Sequence, residues 1–190
     1  MKRVFIIHGW GGSPKEPMIA WLTKNCNKHF ETTTPEMPET DNPQIKKWIP
    51  KLKEIVKNPN DETYFIGHSI GCQTILRYLE SLPEKKKVGG AILIAPWFYL
   101  SDLETEEEKV IAKEWTEKEM NFKKILSHTK DIVCIFSEDD EVVPLANKDS
   151  FKKNLGAKII IEKNKGHFTE DDGVVTNETA LRELLKLSRI

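Results

Sequence analysis

Ser69 stands between two glycines in Gly67-His68-Ser69-Ile70-Gly71, where the short apolar run Tyr64-Phe65-Ile66 meets a helix-like pattern carrying Ile75, Leu76 and Leu79. A hydroxyl is a weak nucleophile until a base takes its proton. A sharp strand-to-helix turn lifts such a side chain clear of the sheet, and small neighbours keep it from striking adjacent backbone. The helix that follows presents its first amide, that of Ile70, to a developing oxyanion. This glycine spacing arises by chance in about one chain in twenty of this size. The strand, turn and helix around the motif therefore carry the reading more than the motif does.

A serine of this kind needs a base. His167, in Lys165-Gly166-His167-Phe168, follows the last apolar run of the chain. An imidazole with an ordinary pKa near 6.5 suits proton transfer at neutrality. His29 and His128 lack such a context and read as structural or solvent-exposed. His68 adjoins the serine, but neighbours on a sharp turn usually point apart. His8 reads as a shaper of the glycine loop His8-Gly9-Trp10-Gly11-Gly12. An acid should orient the base and stabilise its cation. Glu138, Asp139, Asp140 and Glu141 offer four choices in one loop, and a helix N-terminus would also favour acids there. Physical reasoning alone leaves Asp139 and Asp140 both open. The Trp10 amide of the glycine loop is a second oxyanion donor candidate, because glycines let backbone approach a reacting atom closely.

The elements that must position these groups alternate between strand and helix. Val4–Ile7, a weak threonine-rich stretch from Phe30 to Met37, Thr63–Ile66, Ala91–Ala95, Ile132–Phe136 and Ala157–Ile161 read as strands. Ser13-Pro14 reads as the start of a helix bearing Ile19, Leu22 and Cys26. Pro43 opens a second helix with Ile45, Trp48, Ile49, Leu52 and Ile55, which Pro50 should kink or delay. Ile70–Leu82, Glu104–Glu119, Pro144–Leu155 and Thr176–Leu187 complete the helices, and 96–130 is the least regular part. Several strands are apolar at consecutive positions, the pattern of a parallel sheet covered on both faces. In such a sheet the ligand site lies beyond the carboxyl ends of the strands. His8–Gly12, Ser69, the four acids and His167 all fall at that edge, while Asp131 falls at the opposite one.

Composition narrows the classes. With 190 residues, 38% hydrophobic and 31% charged, the chain has enough material for one domain, 1–190. Lys+Arg 29 against Asp+Glu 30 gives a net charge of −1, which disfavours nucleic acid or an anionic membrane as partner. The apolar runs are too short for a secretory signal or a bilayer span. Cys26, Cys72 and Cys134, odd in number and widely spaced, suggest reduced thiols and a cytoplasmic protein. No metal motif and no nucleotide-binding glycine pattern is present, so no cofactor is expected.

The order Ser69, acid, His167, the glycine elbow and the short length together resemble the α/β-hydrolase superfamily. Within it, the chain resembles the small single-domain serine hydrolases related to retinoblastoma-binding protein 9, the YdeN-like family. The resemblance rests on His8–Gly12, Gly67–Cys72, Ser137–Pro144 and Gly166-His167-Phe168, and covers nearly the whole chain. It implies a three-layer α/β-hydrolase-like fold with a mostly parallel sheet of about six strands and a minimal cap. It further implies Ser69 as nucleophile, His167 as base and, from the spacing Asp-x-x-Val-Pro, Asp140 as acid, with Trp10 and Ile70 supplying oxyanion amides. The expected substrate is a small carboxylic ester, thioester or amide, and the alternative is a silent scaffold that binds a ligand or protein. No Leu-x-Cys-x-Glu motif is present, so binding to a retinoblastoma-type protein is not implied. Residues 96–130 stand where larger relatives carry a cap, and are expected to form a small lid or insert. In this stretch Trp97 and Phe98 either line an acyl pocket or cover the sheet as core.

Overall fold

The computed structural model describes every residue except Asp102 and Glu104. Its centre is a sheet of β1 (Arg3–Ile7), β2 (Glu31–Thr33), β3 (Thr63–His68), β4 (Gly90–Ile94), β5 (Ile132–Ser137) and β6 (Lys158–Glu162). The strands lie in the order β2-β1-β3-β4-β5-β6, and each neighbouring pair is parallel. Helices α1 (Pro17–Cys26), α2 (Ile45–Val56), α3 (Ile70–Glu80), α4 (Glu106–Glu117), α5 (Phe122–His128), α6 (Asn147–Leu155) and α7 (Glu178–Ser188) connect the strands. On one face α1 touches α7, and on the other α2, α3, α5 and α6 touch in series. With both faces covered the central strands have no wet side. That is why β3, β4 and β5, and β1 from Val4 onward, are buried at every position. The edge strands β2 and β6 are only partly covered.

Local chemistry moves some expected boundaries. The first helix begins at Pro17, not Pro14: the Ser13 hydroxyl accepts the Lys15 amide in a turn (3.2 Å), and Pro17 takes the first helical position. Helix α2 starts at Ile45 and runs through Pro50, so the proline does not delay it; Ile45, Trp48, Ile49, Leu52 and Val56 are buried along one side. The threonine-rich stretch contributes only the short β2.

Residues 96–130 hold two helices rather than one. In α4 the Thr105 hydroxyl accepts the Glu108 amide (3.1 Å) and the Glu108 carboxylate accepts the Thr105 amide (2.9 Å), a reciprocal N-terminal cap. Trp115 anchors this helix, its indole donating to the Pro43 carbonyl (2.9 Å). The expected start at Glu104 lies outside the described residues. Helix α5 was not foreseen. It buries Ile125 and His128 against α3, and the His128 Nδ1–H donates to the Lys86 carbonyl (2.7 Å). A seven-residue helix with so few apolar anchors has too little periodicity to be read from sequence.

The register brings the strand ends level: Ile7 pairs with Gly67, His68 with Ile94, and Ser137 with Glu162. The chain grows to one side of β1 through β2, then to the other side through β3. A crevice therefore opens between the loops that follow β1 and β3. Cys26, Cys72 and Cys134 are free buried thiols. Among the described residues no helix is long and apolar enough to cross a membrane.

Candidate active site

Strand β3 ends at His68 and α3 begins at Ile70, so one residue turns the chain. Ser69 does so at φ 52°, ψ −118°, a left-handed backbone that is costly for a residue with a Cβ. The turn is pinned on both sides: the Ser69 amide donates to the Ile94 carbonyl (2.9 Å), and the Cys72 amide donates to the Ser69 carbonyl (2.9 Å). Gly71 lets α3 lie directly on β1, for a Cβ there would sit 2.3 Å from the Ile7 carbonyl oxygen.

His167, in the loop between β6 and α7, reaches across to this turn. Its Nε2 lies 3.0 Å from Ser69 Oγ and its Nδ1 lies 2.9 Å from Asp140 Oδ2. Asp140 is buried at its side chain, and its Oδ1 accepts the amides of Val142 (2.9 Å) and Val143 (2.8 Å), which leaves Oδ2 for the imidazole. Asp139 turns the other way. It accepts the Ser137 hydroxyl and the amides of Lys165 (3.1 Å) and Gly166 (3.3 Å). These hydrogen bonds, that of Ser137 foremost, hold its carboxyl below the ordinary range. Glu138 pairs with Lys163 at 3.8 Å, and Glu141 is exposed. Of the four acids in the loop, the structure brings Asp140 to His167.

In front of Ser69 lies a cavity of about 370 Å³. Trp10, Trp97, Leu100, Leu103 and Val142 give it apolar surface, and Glu16, His68 and Thr169 give it polar surface. The Trp97 indole N–H points at Ser69 Oγ from 3.4 Å. Among the described residues, no protein acceptor takes the Trp10 or Ile70 amide. The loop carrying Trp10 is tied down from outside: Gly11 donates to the Thr40 carbonyl (2.8 Å), and the Trp10 indole donates to the Asp41 carbonyl (3.0 Å). His8 is fully buried beneath it, donating from Nδ1 to the Gly9 carbonyl (2.9 Å) and accepting the Met37 amide at Nε2 (3.1 Å). Burial lowers its pKa, so it shapes the glycine loop as a neutral ring.

Two expectations need correction. Phe98 does not line this cavity. It stacks on Phe151 at 4.1 Å and meets Phe122 edge-on at 5.4 Å, while Trp97 alone of the pair faces Ser69. Adjacent residues after a strand diverge, and α6 offers Phe98 an aromatic partner. His68 does not turn away from the site. Its ring centroid lies 5.2 Å from that of His167, and its Nε2–H donates to the His167 carbonyl (2.8 Å). Burial, then the neighbouring His167, pushes its pKa down to about 3, so it serves as a neutral donor. Glu16 was missed. It precedes the proline that opens α1, and burial raises the pKa of its carboxyl. Its position just past the glycine loop was the available signal. Among the described residues, no group of three or more His, Cys, Asp or Glu side chains is arranged to hold a metal ion.

A family model described as serine hydrolase matches residues 4–186. The chain belongs to this serine hydrolase family. Its relatives include YdeN of Bacillus subtilis (strain 168), 30% identical over 173 residues that make up 90% of this chain and 88% of YdeN. Serine hydrolase RBBP9 of Rattus norvegicus is 27% identical over 163 residues, 85% of this chain and 78% of RBBP9. The crystal structure of the ydeN gene product from B. subtilis matches all of both chains with a TM-score of 0.91 and 27% identity. The expected α/β-hydrolase fold is therefore the observed one, with a wholly parallel sheet of six strands among the described residues.

Proposed function

We propose that this serine hydrolase cleaves a small carboxylic ester, thioester or amide through Ser69, His167 and Asp140, by way of an acyl-enzyme. The observation that carries the reading is the continuous relay from Ser69 Oγ to His167 Nε2 (3.0 Å) and from His167 Nδ1 to Asp140 Oδ2 (2.9 Å), opening on a cavity. A carboxylate that accepts at Nδ1 fixes the tautomer with its lone pair on Nε2, which is the form able to take the serine proton. Ser69 Oγ then bonds to the acyl carbon as its proton passes to His167. The carbonyl electrons move onto oxygen, and the Trp10 and Ile70 amides receive that oxyanion. The tetrahedral adduct collapses, and the leaving group departs with the proton held by His167. Water, deprotonated by His167, attacks the acyl-serine by the same route and regenerates the hydroxyl.

The cavity supports a modest apolar acyl group set between Trp10, Trp97, Leu100, Leu103 and Val142, with Glu16 on its polar wall. We also take residues 1–190 as one functional unit, with α4 as its small cap. The test is turnover of a panel of short-chain nitrophenyl esters, acyl thioesters and aminoacyl amides by the native protein and by Ser69→Ala. On this proposal Ser69→Ala should lose on the order of a million-fold in kcat. Equal turnover by the two proteins would sink it. Turnover by neither, with the protein folded, would favour a binding scaffold.

A further inference from the structure

His167 stands in the loop between β6 and α7, outside any helix or strand. Asn164, Gly166 and Phe168 all take positive φ, at 54°, 48° and 60°, so left-handed backbone recurs at alternate positions. Even so, each amide from Lys165 to Thr169 has an acceptor. Phe168 donates to the Lys165 carbonyl (2.8 Å). The other four go to two carboxylates. Asp139 takes Gly166 and shares Lys165 with the Ser137 hydroxyl. Asp172 Oδ2 takes the amides of His167 (2.9 Å) and Thr169 (3.0 Å), and the Thr169 hydroxyl besides (2.7 Å). Gly166 leaves the room for this: a Cβ there would lie 2.1 Å from Asp172 Oδ1.

We infer that Asp172 is a positioning residue for catalysis, whose carboxylate clamps the backbone on both sides of Phe168 so that the His167 ring spans Asp140 and Ser69. This rests on the reading of His167 as the base. Two facts separate it from ordinary loop packing. Asp172 does not cap α7, since Asn177 does that by accepting the Ala180 amide (2.8 Å). Nor does it line the cavity in front of Ser69, so it acts through His167 and not on substrate. Asp139 contributes to the same clamp, but its neighbour is Asp140, so any change there disturbs the acid as well. Asp172 isolates the effect.

The test measures kcat and KM for Asp172→Ala and Asp172→Asn on an ester that the native enzyme turns over through Ser69. Active sites are counted by exhaustive fluorophosphonate labelling, and amide hydrogen exchange is followed at residues 165–169. For Asp172→Ala, kcat per labelled site should fall about a hundred-fold with KM nearly unchanged, as displacement of a catalytic group by about 1 Å would produce. The His167 and Thr169 amides should exchange faster. Asp172→Asn keeps one acceptor oxygen, so it should recover part of kcat, and it covers the case in which the alanine variant does not fold. A merely structural Asp172 would lower the melting temperature and the number of labelled sites while sparing kcat per site. That result, or a loss confined to KM, overturns the inference. Absence of Ser69-dependent turnover in the native protein would instead overturn the reading on which it rests.

Discussion

The serine turn and the histidine loop hold their side chains by opposite means. Ser69 is fixed chiefly by packing: it sits between a buried strand and a buried helix, with Gly71 where α3 meets β1 and Gly67 where α3 meets β3. His167 is fixed chiefly by polar ties: its stretch 165–169 is mostly half-buried, residues 170–173 beyond it are exposed, and carboxylates take four of its amides. A packed turn tolerates charge changes elsewhere and fails on added volume. A tied loop tolerates volume at its exposed surface and fails when an acceptor is removed.

The largest contrast should come from the two neighbouring aspartates. Asp140→Asn should lower kcat by about ten-thousand-fold, the scale seen when a triad acid loses its charge. Asp139→Asn, which loosens the loop and disturbs the neighbouring acid without removing its charge, should cost about tenfold, near the worth of one charge-assisted hydrogen bond. Steady-state kinetics on both variants reads the difference, and the reverse ranking would assign the acid to Asp139. Gly71→Ala tests the packed side. Its new methyl would meet the carbonyl oxygens of Ile7 (2.3 Å) and His8 (2.8 Å), so denaturant unfolding should show a loss of about 3 kcal/mol or more. An alanine there without cost would show that the turn is not held by close approach.

A smaller effect lies where the two regions touch. His68 in the folded chain titrates at about 3, well below the ordinary histidine value. Between those values the unfolded chain binds a proton at this ring and the folded chain does not, so stability falls as pH drops through that window. Melting temperatures taken from pH 7 to pH 4 should therefore fall more steeply for the native protein than for His68→Gln. The smallest expected effect is that of Phe98→Leu. It should cost stability, about 1 kcal/mol from lost stacking with Phe151, and leave KM untouched. A raised KM would return Phe98 to the substrate pocket.

The sheet was legible because buried parallel strands are written as short apolar runs, and its order of strands and helices fixes which loops share an edge. That is enough to place Ser69, His167 and the acidic loop at one edge from the sequence alone. What stayed hidden depends on which way a side chain turns after its strand. Trp97 and Phe98 are equivalent in sequence, but only the aromatic surface of α6 draws Phe98 away. His68 and Glu16 enter the cavity through contacts between segments far apart in the chain. The role of Asp172 rests on hydrogen bonds to backbone amides, which leave no pattern in residue types. Helix α5 was lost because its burial comes from a few residues facing α3.

The whole proposed mechanism turns on Ser69 being an activated nucleophile. It is tested most directly by treating the native protein and Ser69→Ala with a fluorophosphonate probe and mapping the adduct by mass spectrometry. A single adduct on Ser69 is expected in the native protein and none in the variant. A folded native protein that takes no label, or one labelled equally with and without Ser69, would contradict it.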